Sequence, residues 1–242
     1  MNPKSLLMIL TYADVSRPEG VASRLRASLR YMDMSKDEDP IAIVDDGSTA
    51  PEQHTCLDEL EATGRYRVVR RAQNGGIARA KNTCLRVFLE SDAEVGFLAE
   101  DDIIYWRGWR EAYLEAVVKT GIQHFSWYMY DPRDWFVQVN GFTVRAHHDL
   151  LGQFLVFTRK AVETVGGFPI LPHRYGFEHV AWSRRIHATG LIPFHADIPG
   201  SGRYISSLPG ASRSLPEDEI ELGLRMNSCG LNFRSIREDI IE

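Results

Sequence analysis

Three consecutive carboxylates, Glu100-Asp101-Asp102, follow an apolar run from Val95 to Ala99. Alternate residues of an extended segment point the same way, so Glu100 and Asp102 share one face at the carboxyl end of a strand. Like charges held that close repel and favour a cation between them, and oxygen-only ligands suit a hard divalent ion such as Mg2+ or Mn2+. Taken alone the triplet reads as an ordinary acidic turn, so its company decides. Asp45-Asp46-Gly47-Ser48 ends another apolar run, where carboxylates accept hydrogen bonds from a nucleobase imide or a ribose hydroxyl, or equally cap the next helix. Asn74-Gly75-Gly76 turns into a helix carrying Arg79, Lys81 and Asn82 in its first turns. A helix start with two cations suits a diphosphate, and a tight turn with solvated cations is the plainer alternative. The spacing matches neither GxGxxG nor GxxxxGK[ST], which disfavours dinucleotide-dependent dehydrogenases and P-loop enzymes.

These groups need a scaffold that brings them together. Leu6 to Leu10, Ile41 to Val44, Tyr66 to Arg70 and Val95 to Ala99 read as strands. Helices are expected over about 18–31 (Ser16 as cap, Pro18 in the first turn), from Thr49 to Gly64 and from Ile77 to about Leu89. Strands alternating with amphipathic helices imply an α/β fold with a largely parallel sheet covered on both faces. Ligands of such sheets bind beyond the carboxyl ends of the strands, where Thr11, Tyr12, Asp45, Asp46 and Glu100 to Asp102 all fall. The second half predicts a helix over 106–119, aromatic β-prone runs at 123–130 and 134–139, a strand over 152–157, and helices at 159–165 and 178–188. A last short strand is expected from Leu191 to Phe194. After Pro199 the composition turns to Gly, Ser and Pro, reading as a flexible linker to a helix around 217–226.

With 242 residues, 44% hydrophobic and 25% charged, the chain can bury a real core in one domain plus an appendage. A net charge of −5 gives no support to a broad nucleic-acid footprint. No apolar run approaches the ~20 residues that span a bilayer, and no signal-peptide pattern opens the sequence, so stable membrane insertion is not expected and a cytoplasmic location is. Cys56, Cys84 and Cys229 are too few and too scattered for a disulfide framework or a zinc site.

The ordered set resembles the family 2 glycosyltransferases of the GT-A fold. The blocks are Thr11-Tyr12, Val44 to Ser48, Asn74 to Asn82, Glu100-Asp101-Asp102, Gly152 to Phe157, Val165-Gly-Gly-Phe168 and Tyr175 to Arg184. The resemblance implies a nucleotide-binding α/β/α sandwich with a smaller antiparallel sheet on the acceptor side. A catalytic domain would span 1–199 (donor half about 1–105, acceptor half about 106–199), followed by the linker and a C-terminal helix packed on it. It implies metal-dependent transfer of a sugar, with inversion, from a nucleotide donor, with UDP-sugars favoured, to an acceptor hydroxyl. A non-catalytic nucleotide-sugar-binding module of the same fold is the alternative. By position, Thr11, Tyr12, Asp45, Asp46, Gly75, Gly76 and Asp101 would hold the donor, with Arg79 or Lys81 near its phosphates and Gly167 bordering its sugar. Asp102 and Glu100 would hold Mn2+ or Mg2+. Glu178-His179 stands where the family commonly has Glu-Asp with the Asp as base, so either residue is a candidate base. Trp127, Tyr128 and Trp135 are candidate acceptor platforms, because aromatic faces stack on sugar rings. His195 is a candidate further metal ligand, and Arg203 with Tyr204 a candidate flap over the phosphates. The acceptor (glycan, lipid-linked intermediate, protein or modified nucleic-acid base) and a homodimer both stay open.

Overall fold

A computed structural model describes residues 3–15, 21–35, 39–127, 134–148, 151–171 and 176–208. The main sheet has six strands in the order β3 (Tyr66–Arg70), β2 (Ile41–Asp45), β1 (Ser5–Thr11), β4 (Val95–Glu100), β9 (Phe154–Thr158) and β6 (His124–Ser126). The first four run parallel, β9 is antiparallel to β4, and β6 is antiparallel to β9. Every residue of β1, β2 and β9 is buried. Strands covered on both faces need continuous rather than alternating apolar character, which is how Leu6 to Leu10 and Ile41 to Val44 are written.

Helices α1 (Val21–Ser35), α2 (Pro51–Ala62) and α3 (Ile77–Glu90) fill the connections between the parallel strands. They turn Leu25, Leu29 and Met32, then Cys56 and Leu57, then Ala80, Cys84, Leu85 and Phe88 into the core, a spacing of three or four that puts each set on one stripe. Cys56 and Cys84 are therefore buried free thiols. Helix α1 continues to Ser35, past the expected end near 31, and the expected start at 18 with its cap Ser16 and Pro18 lies outside the described residues.

The remaining elements are β5 (Ile103–Tyr105), α4 (Trp109–Thr120), β7 (Trp135–Val139), β8 (Phe142–His147), α5 (Arg159–Val165), α6 (Glu178–Ala188), β10 (His195–Asp197) and β11 (Ile205–Ser207). Strands β10, β8 and β7 form a small antiparallel sheet, and β11 pairs antiparallel with β5. Much of the aromatic content is core. Trp109 stands edge-on to Phe97 with ring centroids 5.0 Å apart, and Phe154 packs against Trp109 and Tyr113.

The strand expected at Leu191–Phe194 falls instead at His195–Asp197. A buried charge network anchors it: Arg145 on β8 donates to Asp197 Oδ2 at 2.7 Å, and the Tyr113 hydroxyl donates to Oδ1 at 2.8 Å. Apolar patterning is blind to a strand fixed that way. Residues 201–207, assigned by composition to a linker, form a 3-10 turn and β11. The helix expected around 217–226 lies outside the described residues. Among the described residues no helix is long and apolar enough to cross a membrane.

Candidate active site

The register of the sheet sets the site. Leu10 pairs with Val44 on one side and Glu100 on the other. Thr11, Asp45 and the residues following Glu100 therefore leave the sheet at one edge. Thr11 Oγ1 donates to Asp101 Oδ2 at 2.7 Å and accepts from Gln53 Nε2 at 2.8 Å. Asp101 also lies 3.3 Å from Arg24 Nε. Asp101 is thus tied to α1 through Arg24 and, through Thr11, to Gln53 of α2.

Asp45 accepts from the Ser48 backbone N–H at 3.1 Å and from the Ser48 hydroxyl, shaping the turn that carries Asp46. Asp46 accepts from Arg71 Nη1 at 2.8 Å and from the backbone N–H groups of Gly75 and Gly76, each at 3.1 Å. One carboxylate so ties the end of β2 to the start of α3. Gly76 has φ +85°, a left-handed conformation that glycine adopts without steric cost. Burial pushes both aspartates above the ordinary carboxylate range, and their hydrogen bonds pull partly the other way. The Tyr12 hydroxyl donates to Asp14 Oδ2 at 3.0 Å. Arg79 is exposed, with Nη1 3.4 Å from Gly75 O.

Lys81 goes the other way. Its side chain is 1% exposed, and Nζ donates to Glu178 Oε1 at 2.8 Å and to Gly152 O at 3.0 Å. Glu100 Oε1 lies 3.8 Å from the same nitrogen. Burial opposes charge on Glu178, but Lys81 and then His179 outweigh it and hold the carboxyl below its usual range. His179 Nδ1 lies 3.4 Å from Glu178 Oε1. A Cβ on Gly152 would sit 2.7 Å from His179 Nδ1 and 2.9 Å from Lys81 Nζ. Only a residue without a side chain lets both groups pack on that spot.

The other two carboxylates of the triplet fit a divalent cation. Asp102 is buried, its Oδ1 has no hydrogen-bond partner among the described residues, and Gln153 Nε2 donates to Oδ2 at a long 3.4 Å. Burial raises Asp102 to about 6, with Asp101 adding to the effect. Burial likewise raises Glu100 to about 7 against the pull of Lys81, with Asp102 and Glu178 adding repulsion. Among the described residues no group of three or more His, Cys, Asp or Glu is arranged to hold a metal alone. Two hard oxygen ligands leave coordination positions for the oxygens of a diphosphate and water, the way Mg2+-type sites are usually completed.

The Asp45–Asp46 turn, the start of α3 and the Glu100–Asp102 triplet fall within the match to the family model described as "Glycosyl transferase family 2", which covers residues 17–121. An uncharacterized glycosyltransferase of Acanthamoeba polyphaga mimivirus is 32% identical over 207 residues, covering 82% of this chain and 79% of the relative. The chain belongs to glycosyl transferase family 2. The solved structures it resembles carry the fold. A mannosyltransferase from Pyrobaculum calidifontis in complex with GDP-Man and Mn2+ superposes with a TM-score of 0.60 at 19% identity over 82% of this chain. The S. aureus TarS fragment 1–349 in complex with UDP-GlcNAc gives 0.63 at 13% identity over 93%. The chain spans 55% of the former and 66% of the latter. The expected GT-A architecture, a mostly parallel central sheet with a small antiparallel one, is thereby met.

The remaining family-derived positions are scattered more widely. A Cβ on Gly167 would meet Asn82 Oδ1 at 2.6 Å, so the close approach there is to Asn82. Asn82 clamps Phe168, accepting from its N–H at 2.6 Å and donating to its carbonyl at 3.0 Å. Trp127 is buried in the core, whereas Trp135 is 37% exposed and its ring lies tilted against His148, with centroids 4.7 Å apart. Tyr128 lies outside the described residues. His195 sits on β10 beside His147 and His187, and among the described residues it belongs to no group of three or more metal-ligating side chains. Arg203 lies in the 3-10 turn, and the Tyr204 carbonyl accepts from Trp106 N–H at 2.9 Å. Sequence reasoning missed Gln53, Arg24, Gly152 and Gln153. Gln53 had a signal, since it shares the inward stripe of Cys56 and Leu57 and a glutamine there needs a buried partner.

Proposed function

We propose that this family member transfers a sugar from a nucleotide-sugar donor to an acceptor hydroxyl, with inversion at the sugar carbon. One observation carries the reading. Glu100 and Asp102 lie at the same sheet edge as the Asp45–Asp46 turn and the glycine-led start of α3, and a buried oxygen of Asp102 lacks a partner among the described residues. Asp45, Asp46, Thr11 and Tyr12 border the nucleoside, and Arg79 is the exposed cation on the phosphate side. Mn2+ or Mg2+ held by Glu100 and Asp102 would offset the charge that grows on the departing diphosphate.

His179 serves as the base. A buried carboxylate held as an anion by Lys81 is a weak proton acceptor, so Glu178 suits the task poorly. Its oxygen facing His179 Nδ1 instead orients the ring, leaving Nε2, the nitrogen remote from Glu178, to take the proton. The acceptor hydroxyl gives its proton to His179 as its oxygen bonds to the sugar carbon. The bond from that carbon to the diphosphate breaks, and the nucleoside diphosphate leaves with the electron pair.

The test is a thermal-shift screen with UDP-, GDP-, CMP- and dTDP-sugars, with and without Mn2+, followed by a donor-turnover assay on each nucleotide that stabilises the fold. The reading expects one of the diphosphate donors (UDP-, GDP- or dTDP-sugar) to raise Tm more with Mn2+ than without and to release its nucleoside diphosphate, with the CMP-sugar as the monophosphate control. Stabilisation without turnover, in the presence of candidate acceptors, would instead identify a binding module.

A further inference from the structure

We propose that Lys81 is a positioning residue that holds Glu178 against His179 and does not bind the donor's phosphates. The inference rests on the sugar-transfer reading above. A phosphate-binding lysine presents its ammonium to the ligand, and Lys81 is closed off at 1% side-chain exposure. Two of its three N–H bonds are committed, to Glu178 Oε1 at 2.8 Å and Gly152 O at 3.0 Å, and Glu100 lies 3.8 Å away on the remaining side. Drawing it out to a phosphate would leave Glu178 charged, buried and unpaired, an arrangement proteins avoid. Glu178 Oε2 has no hydrogen-bond partner among the described residues, so Oε1 carries the contacts to both Lys81 and His179.

Three segments meet at this one nitrogen: the first turns of α3, the strand-leading loop at Gly152 and the N-terminus of α6. The ammonium therefore fixes α6 at the residue pair that faces the acceptor. It does so from the helix whose glycine start Asp46 ties to β2. The exposed Arg79 on the same helix is left to meet the diphosphate. The roles of the two cations on α3 divide by burial: the solvated one binds and the buried one positions.

The experiment compares the wild-type chain with Lys81→Met, measuring kcat, donor KM, Tm and calorimetric binding of UDP and GDP, each with Mn2+. A positioning role predicts diphosphate affinity and donor KM within about threefold of wild type, and a kcat lower by about 100-fold or more. A donor KM raised tenfold or more (about 1.4 kcal/mol) with kcat kept would make Lys81 a phosphate ligand and overturn the proposal. Unchanged kcat and KM would reduce it to packing and overturn it equally. If Lys81→Met fails to fold, Lys81→Met/Glu178→Gln removes both charges of the pair. That variant should regain the wild-type Tm while kcat stays lower by about 100-fold, and full recovery of turnover overturns the proposal. A folded wild type that binds neither diphosphate and turns over no donor defeats the sugar-transfer reading itself, and the positioning role with it.

Discussion

Gly152→Ala adds one carbon where His179 and Lys81 converge. The new Cβ would lie 2.7 Å from Cγ and Nδ1 of His179 and 2.9 Å from Lys81 Nζ. Carbon contacts settle at about 3.5–4.0 Å, so the imidazole must retreat by roughly 0.8 Å. The His179 side chain is 15% exposed and can yield toward solvent, whereas Lys81 at 1% cannot. Overpacking of this kind costs about 1–3 kcal/mol, or roughly 2–12 °C in Tm for a chain this size. A base displaced by close to an ångström loses about 100-fold in kcat. None of the proposed nucleoside contacts, Thr11, Tyr12, Asp45 and Asp46, is among the nearest atoms the new Cβ would meet, so on the proposed reading diphosphate affinity should stay within about threefold. Gly202→Ala is the control, because a Cβ there meets nothing within 4 Å. The assay is initial-rate donor turnover with an acceptor, alongside thermal melts of both variants. A folded Gly152→Ala protein with wild-type kcat would refute the placement of the base.

Asp46→Ala removes the acceptor for Arg71 and for two backbone N–H groups at the start of α3. Hydrogen bonds to a charged group predict a loss of about 3 kcal/mol in urea unfolding, together with weaker diphosphate binding, and an unchanged midpoint would contradict the tie between β2 and α3. Burial pushes His124 down from 6.5 to about 3, its ring lying between the Val156 carbonyl and the Ser183 hydroxyl, each at 2.8 Å. Its folded pKa lies below its unfolded one, so its stabilising contribution is complete above about pH 6.5 and falls as pH drops toward about 3. Between about pH 7.5 and pH 5 the stability gap between wild type and His124→Gln should narrow by roughly 2 kcal/mol, and parallel pH profiles would contradict the burial of a neutral ring.

The N-terminal half of the fold was legible because continuous apolar runs and three-or-four spacing report burial directly, as at Leu6 to Leu10 and at Cys84, Leu85 and Phe88. The second half was less so. Strand β10 is His-Ala-Asp, held by an arginine and a tyrosine that only the fold brings near Asp197. Lys81 carried a readable warning: Ile77, Lys81, Leu85 and Phe88 share one stripe of α3, and a lysine on an inward stripe must find a buried anion. Placing Arg79 or Lys81 near the phosphates follows the glycine-led motif, whereas the positioning role proposed above for Lys81 follows from its face of the helix. Asp101 shows the same limit in reverse. Its motif groups it with Glu100 and Asp102, but the strand ends at Glu100, and in the turn that follows Asp101 meets Thr11 and Arg24.

The claim at the centre is that Glu100 and Asp102 hold a divalent cation on which sugar transfer from a nucleotide donor depends. Nucleoside-diphosphate release, measured with the stabilising nucleotide sugar and a titration of Mn2+, tests it directly in wild type and Asp102→Asn. The wild type should be silent with EDTA and recover with Mn2+. Asp102→Asn should keep its fold and lose about 100-fold or more of the metal-stimulated rate. An Asp102→Asn protein that releases diphosphate at the wild-type rate with the same Mn2+ dependence would contradict the account.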